Sequence, residues 1–555
     1  MMRRVLFVTL LFAGLCTPAF AGENWIDQFL NKYRPTQPKY PASVTVTQDT
    51  LPNLIRDGMI PLSISDLINL TLENNLDIAV ERLAPVTSQY AIFTNYRPFE
   101  PTLTVGANVT RNTSPSQTFL TGVASVKQLT NNFSAGYAQT LKTGTDLTVD
   151  FTLVRTSTNN TFSTFNPAWV GQMRYGFTQR LLNGFGTAVN THSIRVAQNN
   201  KTISEAQFET QVLDLVTQAQ KSYWDLVFTT EDRNVKQRAL ELAEKTLSDN
   251  QRQVEVGTLA RIDLVQARSQ VATSRQDVIV ADFTHAQIQD QIKKVLTRQP
   301  DPGLVLAKVS PTQRAERPVA EDLLPVENAI RVALENRPEL RTANLQLRNS
   351  EIEIQYAKNQ LLPTLSVSAD YIQSGVGGPQ TIRNPFDPNA PPSQTIPGGV
   401  GDVFNQIFRS KTGGYTVGFN LQVPLSNRSS KAEYSRVATV KKTNEENIKA
   451  LEQQIALEVR NAITAVEMNK ARIDTAQTSR ELAEEQYAAE QRKFELGAST
   501  VRFVLEEQRN LEQAQSNEIS AIVNYRKSMV DYDRALGVTL KKNNISIEKT
   551  LAALK

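Results

Sequence analysis

A long internal duplication constrains this chain before any motif is read. Shifting residues 67–109 by 262 positions lays Leu72-Glu73-Asn74 on Leu334-Glu335-Asn336 and Pro101-Thr102-Leu103 on Pro363-Thr364-Leu365 without a gap. A shift of 240 positions then lays Glu241-Leu242-Ala243-Glu244 on Glu481-Leu482-Ala483-Glu484, Gly257 on Gly497 and Leu296 on Leu536. Two copies make no open-ended solenoid, whose repeats stack many deep.

Each copy contains one stretch too long for a small domain. Residues 186–256 and 428–496 have no proline and no internal glycine, and a helix of such a length would run roughly 105 Å at 1.5 Å per residue. Within these runs Val212, Val216, Ala219, Tyr223 and Leu226, and again Ile455, Val459, Ala462, Val466 and Ile473, recur at spacings of three and four. That is the seam of a coiled coil, with polar residues on the other faces. Each run ends at a glycine, Gly257 or Gly497, where a helix can stop and the chain reverse. A second helix of about 35 residues follows, to Leu296 or Leu536. Each copy therefore predicts an antiparallel helical hairpin with its tip at Val256, Gly257, Thr258 and Leu259, or at Leu496, Gly497, Ala498 and Ser499.

Before the long helices come a shorter helix and strands. The first helix is predicted over Ser63 to Tyr96 and its repeat over Val326 to Gln360, each ending at a proline-led strand, Pro101 to Thr110 or Pro363 to Tyr371. Returning strands are predicted at Gln172–Leu182 and Tyr415–Leu425. Copy one inserts Asn132–Arg155, where two alternating runs flank Lys142-Thr143-Gly144-Thr145. This reads as an extra hairpin, so the copies supply four and two strands. Period-two alternation gives a strand one apolar and one polar face, as a barrel with a wet lumen needs. A half-buried strand of a soluble sheet fits these residues equally well. The segment Gln373 to Gly413, rich in Ser, Asn, Gly and Pro, reads as a mobile surface loop.

Arg3-Arg4, an apolar run from Val5 to Leu15 and the ending Ala19-Phe20-Ala21 read as a cleaved secretory leader. Leu15 before Cys16 argues against lipid attachment there, which needs a small residue. Beyond Cys16 there is no cysteine, which excludes disulfides, thiol nucleophiles and thiolate metal sites. His192 and His285 are isolated and read as surface imidazoles rather than ligands or bases. No nucleotide loop or nucleophile–base pair is present, so the chain reads as a non-enzyme without cofactor or metal. A net charge of +4 leaves no nucleic-acid footprint. After the leader no apolar stretch reaches the roughly 20 residues of a membrane-spanning helix, so any crossing of a membrane would be by β-barrel.

An exported chain with two copies of helix, amphipathic strands, very long helix, glycine tip and shorter helix resembles the TolC-type outer-membrane efflux proteins. The resemblance covers about Ser63 to Gly537. It implies an α+β membrane protein: a homotrimer whose strands close one β-barrel in the outer membrane while its helices form a coiled-coil tunnel in the periplasm. The expected organisation is leader 1–21, extended periplasmic segment 22–62, first repeat 63–300 with strands about 101–182, linker 301–325, second repeat 326–540 with strands about 363–425, and tail 541–555. The implied function is a passive channel exporting small molecules or proteins, within a tripartite efflux or type I secretion system. The alternative is a periplasmic coiled-coil scaffold without a pore. The implied partners are outer-membrane lipid, a periplasmic adaptor docking on the two tips, and an inner-membrane pump of the RND or ABC class. Acidic residues near the tips would narrow the closed aperture. Asp263 and Glu506 match such positions, with Arg261 and Arg502 as their expected contacts, whereas Phe503 stands where the second copy should carry an acid and makes an apolar constriction a competitor.

Overall fold

The computed structural model describes residues 31–35, 58–117, 121–257, 259–296, 306–317, 323–382 and 394–545. The leader, most of the 22–62 segment and Thr258 lie outside them.

Strand β1 (Met59–Leu62) leads into three helices, α1 (Ile64–Asn74), α2 (Leu76–Glu81) and α3 (Leu83–Thr94). A single helix was expected from Ser63 to Tyr96; it breaks because Asn75 acts as a cap. Its side-chain oxygen accepts from the Asp77 amide at 2.7 Å and the Ile78 amide at 3.2 Å, starting a new helix at Leu76. The counterpart in the second half breaks at Arg337, held extended before Pro338, a residue suited to the first turn of a new helix.

Four strands follow: β2 (Thr102–Pro115), β3 (Ser125–Thr140), β4 (Thr145–Thr158) and β5 (Ala168–Arg180). The inserted hairpin is thus real and longer than Asn132–Arg155. Helix α4 (His192–Glu255, 64 residues) runs away from the sheet and α5 (Arg261–Leu296, 36 residues) returns. After β6 (Lys308–Pro311) come α6 (Val326–Asn336), α7 (Pro338–Asn359), β7 (Thr364–Gly377), the short β8 (Gln380–Ile382) and β9 (Gln394–Ile396), α8 (Val400–Phe408) and β10 (Gly413–Gln422). Helices α9 (Arg428–Glu495, 68 residues), α10 (Val501–Ala535, 35 residues) and the short α11 (Thr539–Lys542) complete the chain. At 1.5 Å per residue α4 and α9 span about 96 and 102 Å. The span Gln373–Gly413 is no uniform loop, since it contains the end of β7 and an ordered helix; residues 383–393 of it lie outside the described ones.

The main sheet is antiparallel throughout, in the order β10-β7-β5-β4-β3-β2. Four strands come from the first half and two from the second, joined where Tyr175 on β5 pairs with Tyr371 on β7. In the helical part, α5, α4, α10 and α9 lie side by side as antiparallel neighbours. The expected seam is buried at Val212, Val216, Ala219, Tyr223 and Leu226 and at Ile455, Val459, Val466 and Ile473. Between Val459 and Val466, however, Ile463 is buried while Ala462 is only partly so. The 3.6-residue turn drifts against a strict heptad and shifts the stripe by one position.

Around the middle of the long helices, β1 pairs in parallel with β6, Met59 opposite Lys308. Ile60, Leu62 and Val309 pack there against Tyr223, Leu226, Ile292 and Leu296. Residues 301–325 were expected to be only a linker, but β6 makes part of that stretch core. The histidines also depart from expectation, because both are half-buried and engaged. His192 stacks on Tyr356 with ring centroids 3.8 Å apart. The His285 ring lies between Thr229 at 3.1 Å and Gln289 at 2.6 Å.

Candidate functional site

Register and pleat divide the main sheet into two chemically opposite faces. One row across it is Leu103, Tyr137, Val149, Tyr175, Tyr371 and Tyr415, each paired to the next. Successive side chains alternate faces, so every second residue belongs with this row. That face continues with Val105, Phe133, Phe151, Leu153, Phe177, Val417, Phe419 and Leu421. Tyr175 and Tyr371 stack at 6.4 Å between ring centroids. The intervening residues form the other face: Thr102, Thr104 and Asn108; Asn132 and Ser134; Thr148 and Thr152; Gln172; Ser366 and Ser368; Thr416 and Asn420. It also carries Asp146, Asp150, Arg174, Arg180 and Asp370, with Arg174 on Asp370 at 2.9 Å and Arg180 on Asp146 at 3.3 Å. One face suits hydrocarbon and the other suits water.

Both edge strands are long and open. Among the described residues β2 pairs only with β3 and β10 only with β7, leaving two rows of backbone donors and acceptors without a strand partner there. Open edges of such length are templates for pairing with a further strand.

At the end of the sheet remote from the long helices, α8 lies on the apolar face. Val403 and Ile407 are buried there against Leu153, with Phe151, Trp169 and Met173 around them. Glycines make the room: a Cβ on Gly171 would stand 2.4 Å from a Val403 methyl, and one on Gly375 would stand 2.6 Å from the Val403 carbonyl oxygen. Beyond the start of β10, the Gln406 side chain takes over as partner of β7. Its oxygen accepts from the Val376 amide at 3.1 Å and its nitrogen donates to the Val376 carbonyl at 2.8 Å.

The two helical hairpins are joined across α4 and α10 by a ladder of polar contacts. Arg534 binds Asp214 at 2.7 Å, Lys221 binds Asp531 at 3.0 Å, Lys527 binds Asp225, and Lys236 binds Glu512 at 2.8 Å. Burial works to lower the Lys236 ammonium, yet the hydrogen bond and charge of Glu512, helped by Asp232, hold it above the ordinary lysine value. Arg534 is raised in the same way by Asp214 against its own burial. The ladder pairs residues 276 to 320 positions apart, so no local spacing could have revealed it.

Both predicted tips lie at the end of the helical rods opposite the sheet. Gly257 has φ +82° and Gly497 +75°, the left-handed turn that reverses each chain segment. Beside them Val256 is 75% and Leu496 85% exposed. Leu259 and Ser499 are half-buried and Ala498 exposed, and the Ser499 hydroxyl donates to Glu490. The aperture candidates divide. Asp263 is half-buried in the first turn of α5, where unpaired amides favour a carboxylate. Phe503, 52% exposed, and Glu506 share the exposed face of α10. Among the described residues no ion pair joins Arg261 to Asp263 or Arg502 to Glu506 within one chain; Arg261, Arg502 and Glu506 are exposed and Asp263 is half-buried.

Comparison with known proteins accounts for this arrangement. Over 347 residues the chain is 23% identical to the pyoverdine export outer membrane protein OpmQ of Pseudomonas aeruginosa, covering 62% of this chain and 65% of that protein, just under two thirds of its length. Its fold matches the Campylobacter jejuni CmeC outer membrane channel with a TM-score of 0.61 at 15% identity, over 88% of this chain and 90% of that one. The Neisseria gonorrhoeae MtrE outer membrane channel in its open state gives 0.59 at 16% identity, over 85% and 88%. The model of the outer membrane efflux protein family matches residues 67–297 and 329–538, once in each half. The chain therefore belongs to the outer membrane efflux protein family and is an outer-membrane protein that extends into the periplasm.

Proposed function

We propose that three copies of this chain form a passive export channel, in which β10 of each copy pairs with β2 of the next to close an eighteen-stranded barrel. The observation that carries this reading is the amphipathic six-stranded sheet with two open edges, continuous with helical rods of about 100 Å. A closed barrel satisfies every backbone group in the membrane, puts the tyrosine-bearing face in lipid and leaves the polar face around water. At that strand number the lumen is an aqueous passage rather than a packed core.

The exposed Val256 and Leu496 at the tips support docking of a periplasmic adaptor, which joins the channel to an energised inner-membrane pump. Phe503 and Glu506, exposed together next to the second tip, are the residues that would narrow a closed aperture. The likeness to a pyoverdine exporter supports small-molecule cargo over protein cargo. The full-length protein extracted in detergent should be a trimer by native mass spectrometry and should open stable conductances in a planar bilayer. A monomer, or a trimer that conducts nothing, overturns the proposal.

A further inference from the structure

We infer that the outward face of the barrel carries, at its far rim, a binding site for the phosphorylated headgroup of an outer-leaflet glycolipid, formed by Arg111 and Lys127. The inference rests on the barrel reading above.

Negative charge in the sheet is confined to one face, whereas cations stand on both. Every carboxylate in its six strands, Asp146, Asp150 and Asp370, belongs to the polar face. The apolar face has three charged residues, Arg111, Lys127 and Arg155, all cations and all toward the end remote from the helices. Arg111 lies opposite Leu129, and Lys127 opposite Thr113, one pleat further out. Diagonal neighbours of this kind stand about 7–8 Å apart, close enough to hold one phosphate group between them. Together with Leu129, Ser157 and Asn159, and with Gln128 and Thr158 of the opposite strand parity, they line a shallow hollow of about 370 Å³ at the strand ends. The Lys127 amide is anchored to the Asn159 side chain at 2.7 Å, which fixes the strand beneath the hollow.

The height of the hollow fits the headgroup layer. Arg111 lies nine residues beyond the start of β2 and Arg155 ten beyond the start of β4. At about 3.3 Å per residue and a tilt near 40°, these positions are roughly 23–25 Å above the inner rim, which is the height of the apolar band of such barrels. Arg155 lies over the Trp169 ring, 5.8 Å from its centroid, and tryptophan favours this same interface. Below the cations the face offers Val109, Val105 and Phe133 to acyl chains. A cationic hollow above an apolar wall, with no acid on its face among the described residues, matches a lipid that joins phosphate to acyl chains.

The test uses the detergent-purified full-length protein and three probes: bisphosphorylated lipid A, the same lipid dephosphorylated, and inorganic phosphate. Native mass spectrometry should show lipid A bound to the wild type and retained about thirtyfold less by the Arg111→Gln/Lys127→Gln variant, at roughly fivefold per cation lost near an anionic surface. Lys142→Gln, at the opposite rim, should bind as the wild type does, and millimolar phosphate should not displace the lipid. Equal retention of the dephosphorylated lipid by the wild type, or unchanged binding by the double variant, overturns the inference, as does displacement by free phosphate. Should the double variant fail to assemble, the comparison of the two lipids on the wild type decides alone. Conductance of the wild-type protein separates the two claims, because a conducting trimer without lipid preference sinks only the headgroup site.

Discussion

Gly257 and Gly497 hold backbone conformations that any other L-residue adopts at a cost of about 1–2 kcal/mol. A Cβ at either position meets nothing within 4 Å. Gly257→Leu and Gly497→Leu should therefore leave trimers in the membrane while abolishing export; loss of trimers would mean that the glycines serve folding alone. His285 carries a different consequence. Burial first, and then the Arg233 charge, push its imidazole below the ordinary value, against an upward pull from Asp282. The folded hairpin thus disfavours the imidazolium, and stability present above the ordinary value of about 6.5 is lost as pH falls through the lower folded value. Thermal unfolding followed by circular dichroism should show a lower midpoint at pH 5 than at pH 8, with the difference reduced in His285→Gln. An undiminished difference in the variant would place the sensitive group elsewhere.

Among the elements, α8 makes the sharpest claim, because Gly171, Gly375 and one glutamine side chain hold it on the sheet. Gly375→Val should drive it off, since even the Cβ conflicts with the backbone of Val403 and not with a movable side chain. Protease added to intact cells should then cut within residues 398–412 much faster than in the wild type, while the trimer persists; equal cutting rates would show that α8 is not held this way. This helix also marks the limit of what the sequence discloses. The long helices and strands were legible because their periodicities run for many turns or pleats, and the glycine tips because a reversal after a helix demands them. α8 is only nine residues long and sits in a Gly- and Pro-rich stretch, so its apolar spacing at Val400, Val403, Phe404 and Ile407 gives barely two turns of signal. β1 and β6 have four residues each, too few for alternation to stand out. The Arg111–Lys127 hollow depends on register between strands, which no single strand encodes.

For the whole molecule, the proposed trimer would be held by the edges of one sheet. Successive backbone amides in β10 point alternately toward β7 and away from it, so proline placed at Val417 and at Gly418 should have unequal effects. The variant that blocks the outward amide should abolish trimers while sparing the helical signal in circular dichroism. Trimers in both variants would refute edge pairing. The hairpin β3–β4 then acquires a meaning through perimeter. Six strands about 4.8 Å apart, tilted near 40°, cover about 38 Å of circumference per chain. Four helices side by side at 8–10 Å cover about 32–40 Å. In the proposed trimer the hairpin would make the membrane cylinder as wide as the helical cylinder beneath it, so the wall would pass from one to the other without a shoulder. Whatever entered such a conduit at its base would travel at constant calibre into the barrel, and sieving by size would fall to the hairpin tips at the entrance.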